Sequence, residues 1–331
     1  MKATIGFDLG GTKLAAALVD HQGKILEKVK LPIHLSRYTK PAQAQSHVIQ
    51  MMVDIAVDFK RRYPKACSRT ALQGIGLASA GPMDIEKRIL VNPANFPGWR
   101  RVALPARLEL ALEKNGIRSR VHFQNDAMAA AFAEGWVGAA RALQTYAVVT
   151  VGTGIGTGVI LNRQPCQSRG AGPEFGHMLI DRDPLQFRQE SLKHGSVEGL
   201  ASGTALVRRA QALGFKGQSV EELVHGMKPR YHSLFEDMSW ALAMLCFNLS
   251  IGFHLDAIFF SGGLIKIQEL YFPRTVKIYN QLIQEFNPLF RARLSLAKTR
   301  NQAGLLGAAY LPWASQRPKN SRGPDFEARK N

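Results

Sequence analysis

The chain has 331 residues, of which 46% are hydrophobic and 21% are charged, with 30 glycines and 16 prolines. This length predicts about two domains of roughly 150 residues each, and the composition excludes a disordered, collagen-like or coiled-coil protein. The 43 basic and 25 acidic residues give a net charge of +18, which favours anionic partners such as nucleotides, polyphosphate, nucleic acid or a membrane surface.

The basic residues are dispersed, and no segment has the pattern of a helix-turn-helix or a zinc finger, so we expect no nucleic-acid partner. The cysteines, Cys67, Cys166 and Cys246, form no CxxC pair, which fits a reducing cytoplasm. Asp8 interrupts the apolar amino terminus, which is not typical of a signal peptide. The apolar stretch 240–255 is short for a bilayer span and indicates a buried helix. These observations predict a cytoplasmic protein with no membrane partner.

The first half of the chain predicts an α/β unit. Its opening apolar runs, 3–8, 14–19 and 25–31, are separated by turn residues and favour a β-meander. The elements predicted next are a helix over 41–63, a strand over 72–79, a loop over 80–99, a helix from Pro105 to Gly116 and a strand over 120–123.

The second half repeats this opening pattern. A strand over 146–151, a glycine turn over 152–158 and a returning strand over 159–161 predict two related halves. The later elements are a helix that follows the capping-box spacing of Ser219 and Glu222, a helix over 234–255, a strand over 257–261 and a last helix near Gly304. From Gln316 the sequence turns polar and basic, which predicts a frayed tail.

Two glycine hairpins have the composition of phosphate sites. In the segment from Asp8 to Lys13, two glycines let backbone N–H groups approach an anion, Thr12 adds a hydroxyl, and Asp8 offers a carboxylate for a metal or its waters. Alone, this segment is equally an ordinary hairpin. A second hairpin with four glycines and two threonines, 152–158, favours two phosphate-binding turns facing one cleft. Neither hairpin matches GxxxxGK[ST] or GxGxxG, which disfavours a Rossmann dinucleotide site.

Polar pairs elsewhere have the chemistry of a sugar site. Asn125-Asp126 lies where a predicted strand runs into a helix, so Asp126 is either a helix cap or a carboxylate that accepts a proton from an alcohol. Glu174 and His177, three residues apart after a glycine-rich approach, can direct a carboxylate and an imidazole into one pocket, a pair suited to vicinal hydroxyl groups. Such a spacing is common without any function.

Taken together and in this order, these motifs resemble the ROK family of bacterial sugar kinases and sugar-responsive repressors, glucokinase-like and fructokinase-like proteins within the actin and hexokinase superfamily. The resemblance spans residue 1 to about residue 312. The motifs that carry it are Asp8-Leu-Gly-Gly-Thr-Lys13, Asn125-Asp126, Gly152-Thr-Gly-Ile-Gly-Thr-Gly158, Glu174-Phe-Gly-His177, Gly262-Gly263 and Ala303-Gly-Leu-Leu-Gly307.

The resemblance implies a fold of two ribonuclease-H-like α/β domains that flank a cleft. The expected domains are 1–123, joined by a helix at about 304–315, and 124–303, followed by a flexible tail over 316–331.

The resemblance also implies the roles of the site residues. Asp8 is expected to bind Mg²⁺, directly or through water or ATP, and Asp126 to act as the general base. The residues expected to contact ATP are Gly10, Gly11, Thr12, Lys13, Gly152, Thr153, Gly154, Gly156, Thr157, Gly262 and Gly263. Those expected to contact the sugar are Asn95, Asn125, Asp126, Glu174, His177 and Glu198.

The sequence departs from the family pattern at a zinc site. Many members carry CxCGxxGCxE after the Glu-x-x-His motif, and here Gln189, Ser191 and Ser196 stand in place of the three cysteines. None of these side chains replaces a thiolate, so we expect no structural zinc. Gly172-Pro173 also replaces the usual Ala-Gly pair before Glu174. Either change can alter sugar choice or abolish activity.

The resulting hypothesis is an ATP-dependent hexose kinase that transfers the γ-phosphoryl group to a sugar hydroxyl, at C6 of glucose or a related hexose. The alternatives are a sugar-sensing protein without catalysis, a kinase that uses polyphosphate, or one that acts on fructose or an N-acetylhexosamine. A repressor of this family would carry a winged helix before the first motif, and Asp8 is too close to the start for one. Family members are commonly dimers or tetramers, so a homodimer is compatible with the resemblance.

Overall fold

The computed structural model describes residues 1–93, 95–168, 170–180 and 195–315. Its described residues divide into two compact units: an amino-terminal unit from the ranges 1–142, 165–172 and 302–315, and a carboxyl-terminal unit from the ranges 143–164 and 173–301. The first division therefore falls after Ala142, later than the expected boundary at 123, because the helix that follows Asn125 packs within the amino-terminal unit. The expected tail, 316–331, lies outside the described residues.

The amino-terminal unit is built on a mixed five-stranded sheet in the order β3-β2-β1-β4-β8. Strand β1 pairs antiparallel with β2 and parallel with β4, and β4 pairs parallel with β8. The strands are β1 (Ala3–Leu9), β2 (Lys13–Asp20), β3 (Ile25–Pro32), β4 (Leu72–Ser79) and β8 (Val121–Asn125), with a small separate sheet of β5 (Met83–Asp84), β6 (Ile89–Val91) and β7 (Arg101–Val102). The predicted meander and strand 72–79 are confirmed, whereas the predicted loop 80–99 contains two short strands.

The described part of this unit contains the α-helices α1 (Pro41–Arg62), α2 (Leu104–Lys114), α3 (Asp126–Trp136) and α9 (Ala303–Ala314). A proline stands in the first turn of both α1 and α2, where its missing N–H has no helical partner to lose. Helix α1 buries an apolar face with helical spacing, formed by Val48, Met52, Ile55 and Phe59.

Helix α9 packs very closely on the sheet and on α3 because glycines remove side chains at the contacts. A β-carbon at Gly76 of β4 would lie 1.8 Å from the carbonyl oxygen of Ala308, and one at Gly307 would lie 1.7 Å from that of Ala129. The buried Thr4 hydroxyl donates to the carbonyl of Ala309 at 2.7 Å. The small residues of α9 therefore allow backbone-to-backbone contact.

The carboxyl-terminal unit contains a second mixed sheet, in the order β11-β10-β9-β12-β13. Its strands are β9 (Tyr146–Val151), β10 (Ile155–Leu161), β11 (Gln164–Pro165), β12 (Ala257–Ser261) and β13 (Arg293–Leu296). Strand β9 pairs antiparallel with β10 and parallel with β12. In both sheets, the first three strands in chain order are neighbours, and the fourth and fifth strands follow beside the first one. The second sheet thus repeats the strand order of the first, as expected for two related halves.

The glycine turn is shorter than the sequence predicted. Strand β10 begins at Ile155, so that Gly156, Thr157 and Gly158 pair across to Thr150, Val149 and Val148 rather than forming a turn. The prediction of a turn over 152–158 was therefore wrong, because cross-strand pairing outweighs the weak strand preference of glycine.

The α-helices among the described residues of this unit are α4 (Val197–Ala201), α5 (Gly203–Ala212), α6 (Val220–His225), α7 (His232–Phe253) and α8 (Phe272–Phe286). The Ser219 hydroxyl accepts from the backbone N–H of Glu222 at 3.1 Å, which confirms the predicted cap of α6. Helix α7 and the turn before it, residues 229–253, are long and apolar enough to cross a membrane. Within the most apolar 18 residues of this stretch, 61% is buried inside the protein, as is typical of a core helix.

The three cysteines differ in their surroundings. Cys67 and Cys246 are buried, whereas Cys166 is partly exposed. Burial raises the pKa of the Cys67 thiol to about 11, and burial also raises the pKa of the Cys246 thiol.

Candidate active site

The first glycine hairpin joins β1 to β2. The backbone N–H of Gly10 donates to the carbonyl of Lys13 at 3.0 Å, and Thr12 and Lys13 are exposed. A β-carbon at Gly11 would lie 2.9 Å from the carbonyl oxygen of Asn95, so the loop that carries Asn95 rests on this glycine. Asn95, expected at the sugar, is thus an exposed side chain beside the hairpin.

Asp8 lies in β1 at the base of this hairpin. Its carboxylate contacts Gly304 in the first turn of α9, where a β-carbon would lie 2.8 Å from Oδ2. Burial raises the pKa of Asp8 to about 6, and the positive charge of Lys30 opposes part of that shift. Within the described residues, no hydrogen-bond donor to this carboxylate is found.

Mg²⁺ fits this environment. Mg²⁺ is usually bound by one or two carboxylates together with substrate phosphates and water. A largely buried carboxylate with no described donor, beside a turn that exposes Thr12 and Lys13, matches that donor set.

Asn125 and Asp126 stand where β8 meets α3. Asn125 is the N-cap: its Oδ1 accepts from the backbone N–H of Ala127 at 2.9 Å and of Met128 at 3.4 Å. Asp126 is the first residue of the helix, and its Oδ1 accepts from the N–H of Ala127 at 2.8 Å. The capping role that the sequence left open for Asp126 is therefore taken by Asn125, and Asp126 is held at the positive end of the helix dipole.

Gln124 is a supporting residue that the sequence analysis missed. It is 5% exposed, and its Oε1 accepts from the N–H of Asn125 at 2.9 Å while its Nε2 donates to Oε1 of Gln167 at 3.2 Å. These bonds fix the backbone immediately before Asp126. A polar side chain that follows Phe123 in a predicted buried strand, directly before Asn125-Asp126, was the signal that could have identified it.

The second glycine hairpin consists of a turn over 152–154 between β9 and β10. The carbonyl of Gly152 accepts from the N–H of Gly203 at 2.8 Å, and that of Thr153 accepts from the hydroxyl of Thr204 at 2.9 Å, so that the turn rests on the start of α5. The Thr153 side chain is exposed.

Gly262 and Gly263 lie beside this turn. Gly262 has φ of 99°, and a β-carbon there would lie 2.5 Å from the carbonyl oxygen of Val151, so the position requires glycine. A β-carbon at Gly263 would meet nothing within 4 Å, whereas one at Gly152 would lie 3.8 Å from the Gly263 nitrogen. The structure thus brings together three of the glycines expected at the nucleotide.

Thr157 differs from the other residues expected at the nucleotide. It is 4% exposed. Its hydroxyl donates to the carbonyl of Pro173 at 2.9 Å and accepts from the N–H of Phe175 at 3.2 Å. Because the single hydroxyl proton is used inside the fold, the Thr157 side chain is not available to donate to a phosphate.

Glu174, His177 and Glu198 form one cluster in the carboxyl-terminal unit. Glu174 directly precedes the 3₁₀ turn Phe175–His177 and His177 is the last residue of that turn; both are exposed, and Glu198 lies in α4. Backbone bonds join the two elements, from Val197 N–H to Met178 O and from Ile180 N–H to Gly195 O, both 3.0 Å.

Electrostatics agree with this grouping. Desolvation raises the pKa of Glu174 above its ordinary value, His177 lowers it, and the Glu198 carboxylate raises it. Two carboxylates and an imidazole within interaction distance offer both acceptors and a donor for sugar hydroxyl groups.

Of the three residues that replace the zinc cysteines, Gln189 and Ser191 lie outside the described residues. Ser196 is buried, and its hydroxyl caps α4 by accepting from the N–H of Gly199 at 3.0 Å. No group of three or more histidine, cysteine or acidic side chains that could hold a metal ion occurs in the described part of the chain.

Each unit therefore carries its own set of predicted residues. The amino-terminal unit holds Asp8, the Gly10–Lys13 turn, Asn95, Asn125 and Asp126; the carboxyl-terminal unit holds the Gly152–Gly154 turn, Gly262, Gly263, Glu174, His177 and Glu198.

Comparison with known proteins identifies the family. The family model described as "ROK family" matches residues 4–315. The chain belongs to the ROK family. This confirms the resemblance drawn from the motifs.

Relatives of this chain include a glucokinase of Thermotoga maritima, 32% identical over 64% of this chain and 61% of its own length, so the alignment spans less than two thirds of that relative. An N-acetylmannosamine kinase of Haemophilus influenzae is 27% identical over 92% of this chain and 94% of its own. A solved ROK glucokinase from Streptomyces griseus, in complex with glucose and AMPPNP, is 26% identical, with a TM-score of 0.73 over 93% of this chain and 98% of that one. The last likeness confirms the expected fold class.

Proposed function

We propose that this ROK protein is an ATP-dependent hexose kinase in which Asp126 accepts the proton of the attacking hydroxyl group. The comparisons confirm the class of enzyme, a sugar kinase. The donor, the sugar and the residue roles are our proposal, and the observation that carries it is the placement of Asp126 at the junction of β8 and α3.

Asp126 has the surroundings that a general base needs. The amino-terminal end of α3 favours the charged carboxylate. Asn125 takes over the capping bonds and Gln124 fixes the preceding backbone, so that the carboxylate is oriented by rigid neighbours. A positioned base contributes about 10²- to 10⁴-fold to such a transfer.

We assign the triphosphate to the two glycine turns, 10–13 and 152–154. The AMPPNP complex of the Streptomyces griseus glucokinase supports ATP as the donor. The open space at Gly263 suits the adenosine, and Asp8 would hold Mg²⁺. When bound, this ion would neutralise phosphate charge during transfer. Of the residues first expected at ATP, Gly156 and Thr157 lie within β10 and are not assigned phosphate contacts.

We assign the sugar to Glu174, His177 and Glu198 from the carboxyl-terminal unit and to Asn95, Asn125 and Asp126 from the amino-terminal unit. Glucose is our first choice of substrate because two glucokinases are among the compared proteins. Because an N-acetylmannosamine kinase is also among the compared proteins, N-acetylated amino sugars are further candidate substrates.

The test is a screen for ADP release in which ATP is offered with glucose, fructose, mannose and N-acetylated hexosamines, with sugar-phosphate formation from polyphosphate measured in parallel. We expect turnover with ATP and at least one hexose. If a sugar phosphate forms with polyphosphate and not with ATP, polyphosphate is the phosphoryl donor. Sugar binding without product from either donor would favour a non-catalytic sensor.

A further inference from the structure

We propose that Thr157 is a positioning residue that ties strand β10 of the second glycine hairpin to the Glu174–His177 segment and thereby holds that segment in its sugar-binding conformation. This inference rests on the proposed function for the identity of the sugar segment. It concerns a side chain that the sequence pattern had placed at the nucleotide.

The first argument is the pair of hydrogen bonds made by one hydroxyl group. Thr157 Oγ1 donates to Pro173 O at 2.9 Å and accepts from Phe175 N–H at 3.2 Å, so it bonds on both sides of Glu174. Two bonds that flank a residue restrict its backbone more than one bond to either side. The hydroxyl therefore restrains the backbone on both sides of Glu174.

The second argument is that the same strand contacts the segment at another point. A β-carbon at Gly176 would lie 2.0 Å from the carbonyl oxygen of Ile155, so the 3₁₀ turn lies directly against β10. Ile155 and Thr157 are two residues apart in a strand and share one face. The segment is thus held between Thr157 and the Ile155 carbonyl.

The third argument is that Glu198 is attached to the same strand. Its Oε2 accepts from the N–H of Ile155 at 2.8 Å, and a β-carbon at Gly154 would lie 2.4 Å from this oxygen. All three residues assigned to the sugar in this unit are therefore positioned by Ile155 and Thr157, two buried residues on one face of β10. The turn assigned to phosphate ends at Gly154, one residue before Ile155, so sugar and nucleotide residues share one rigid element.

The experiment compares Thr157→Val with Thr157→Ser. Valine keeps the shape of threonine and removes both hydrogen bonds, whereas serine keeps the hydroxyl. We expect Thr157→Val to raise the KM for the best hexose by about tenfold or more, the effect of losing a buried hydrogen bond. The KM for ATP should change by less than about threefold, and Thr157→Ser should stay close to the parent chain.

Thr275→Val is the matched control. Thr275 is a buried threonine of the same unit, and its hydroxyl donates to Tyr271 O at 3.0 Å, away from all the assigned residues. It should lose stability to a similar degree while both KM values stay unchanged. This control separates positioning from a general loss of stability.

A second readout does not need catalysis. Hydrogen–deuterium exchange of the peptide over 174–178 in the free protein should be faster in Thr157→Val than in Thr157→Ser, since the Phe175 N–H loses its acceptor. This result stands even if the kinase screen fails, so the two proposals can fail separately. Unchanged exchange, an unchanged hexose KM, or a rise confined to the ATP KM would overturn the positioning role, the last by favouring direct phosphate contact.

Discussion

At the scale of single residues, the structure separates side chains that the sequence pattern had grouped. Asn125 and Asp126 are adjacent polar residues at one strand end, yet Asn125 is the N-cap of helix α3, whereas Asp126 is the first residue of that helix. The two threonines of the second hairpin divide likewise, with Thr153 exposed and Thr157 buried. A motif lists residue types, but strand register and helix position decide which of them can reach a substrate.

Asp126→Asn tests the assigned base. The amide keeps the shape of the carboxylate but does not accept the proton, so kcat should fall by at least about 10²-fold while the hexose KM changes little. Steady-state kinetics with the best hexose measures both constants. Glu221→Gln, an exposed carboxylate in the first turn of α6, is the matched control and should behave like the parent chain. Near-normal turnover in Asp126→Asn would remove Asp126 from the mechanism.

Asp8→Asn should separate stability from activity. Because burial raises the pKa of Asp8 from 3.8 to about 6, the ionised carboxylate destabilises the folded protein at neutral pH. That cost is relieved as the pH falls from above 6 towards 4 and the carboxyl group becomes protonated. The asparagine variant should therefore be more stable at pH 7.5 by up to about 3 kcal/mol, and its advantage should shrink at pH 5.

Urea unfolding at the two pH values measures the effect of Asp8→Asn. The Asp8→Asn variant should lose turnover at both pH values, since the amide no longer supplies an anionic ligand for Mg²⁺. A variant that is equally or less stable at pH 7.5 would contradict the cost assigned to the buried carboxylate.

At the scale of elements, most helices and strands were predictable, whereas among their pairings only those between neighbouring strands of a hairpin were. Periodicity and turn residues predicted strands 72–79, 146–151 and 257–261 as the structure has them, because each is a buried apolar run with clear boundaries. The family resemblance placed the last helix with the amino-terminal domain, but its contacts with Gly76 and with Ala129 of α3 could not be predicted from the residues themselves. A run of small residues indicates close approach, but it does not say which distant segment approaches.

Gly307→Ala tests that close packing. The added methyl group would overlap the carbonyl of Ala129, and overpacking of this kind costs about 1–3 kcal/mol or more, so the midpoint of thermal unfolding should fall. Gly252→Ala is the control, since a β-carbon there, in helix α7, meets nothing within 4 Å. It should leave stability unchanged or raise it by up to about 1 kcal/mol. Equal unfolding midpoints for the two variants would contradict the described packing.

At the scale of the whole molecule, the two sheets share one strand order, and each unit carries one glycine hairpin between its first two strands. The sequence predicted this duplication because the hairpin pattern occurs twice. It did not predict the extent of the first unit, since the alanine-rich helix α3 follows the strand without a break and only its tertiary packing assigns it. The site is therefore predictable as two sets of residues, one in each half.

Metal content is a prediction for the whole chain. We expect no stoichiometric zinc by elemental analysis and no change in the unfolding midpoint after treatment with a chelator. The backbone bonds of Ile180 to Gly195 and Val197 to Met178, with the Ser196 cap, join the two ends of the segment where other members use cysteines. One zinc per chain would mean that Gln189, Ser191 and Ser196 were aligned wrongly with those cysteines.

The unequal burial of the three thiols has a practical consequence. A maleimide applied to the native protein should attach at Cys166, because the sulfur atoms of Cys67 and Cys246 are shielded and strongly protonated. The natural chain thus offers one point for a fluorophore without mutagenesis. That point lies two residues after Gln164, where the chain leaves the carboxyl-terminal unit, so the dye would mark the crossover between the two units.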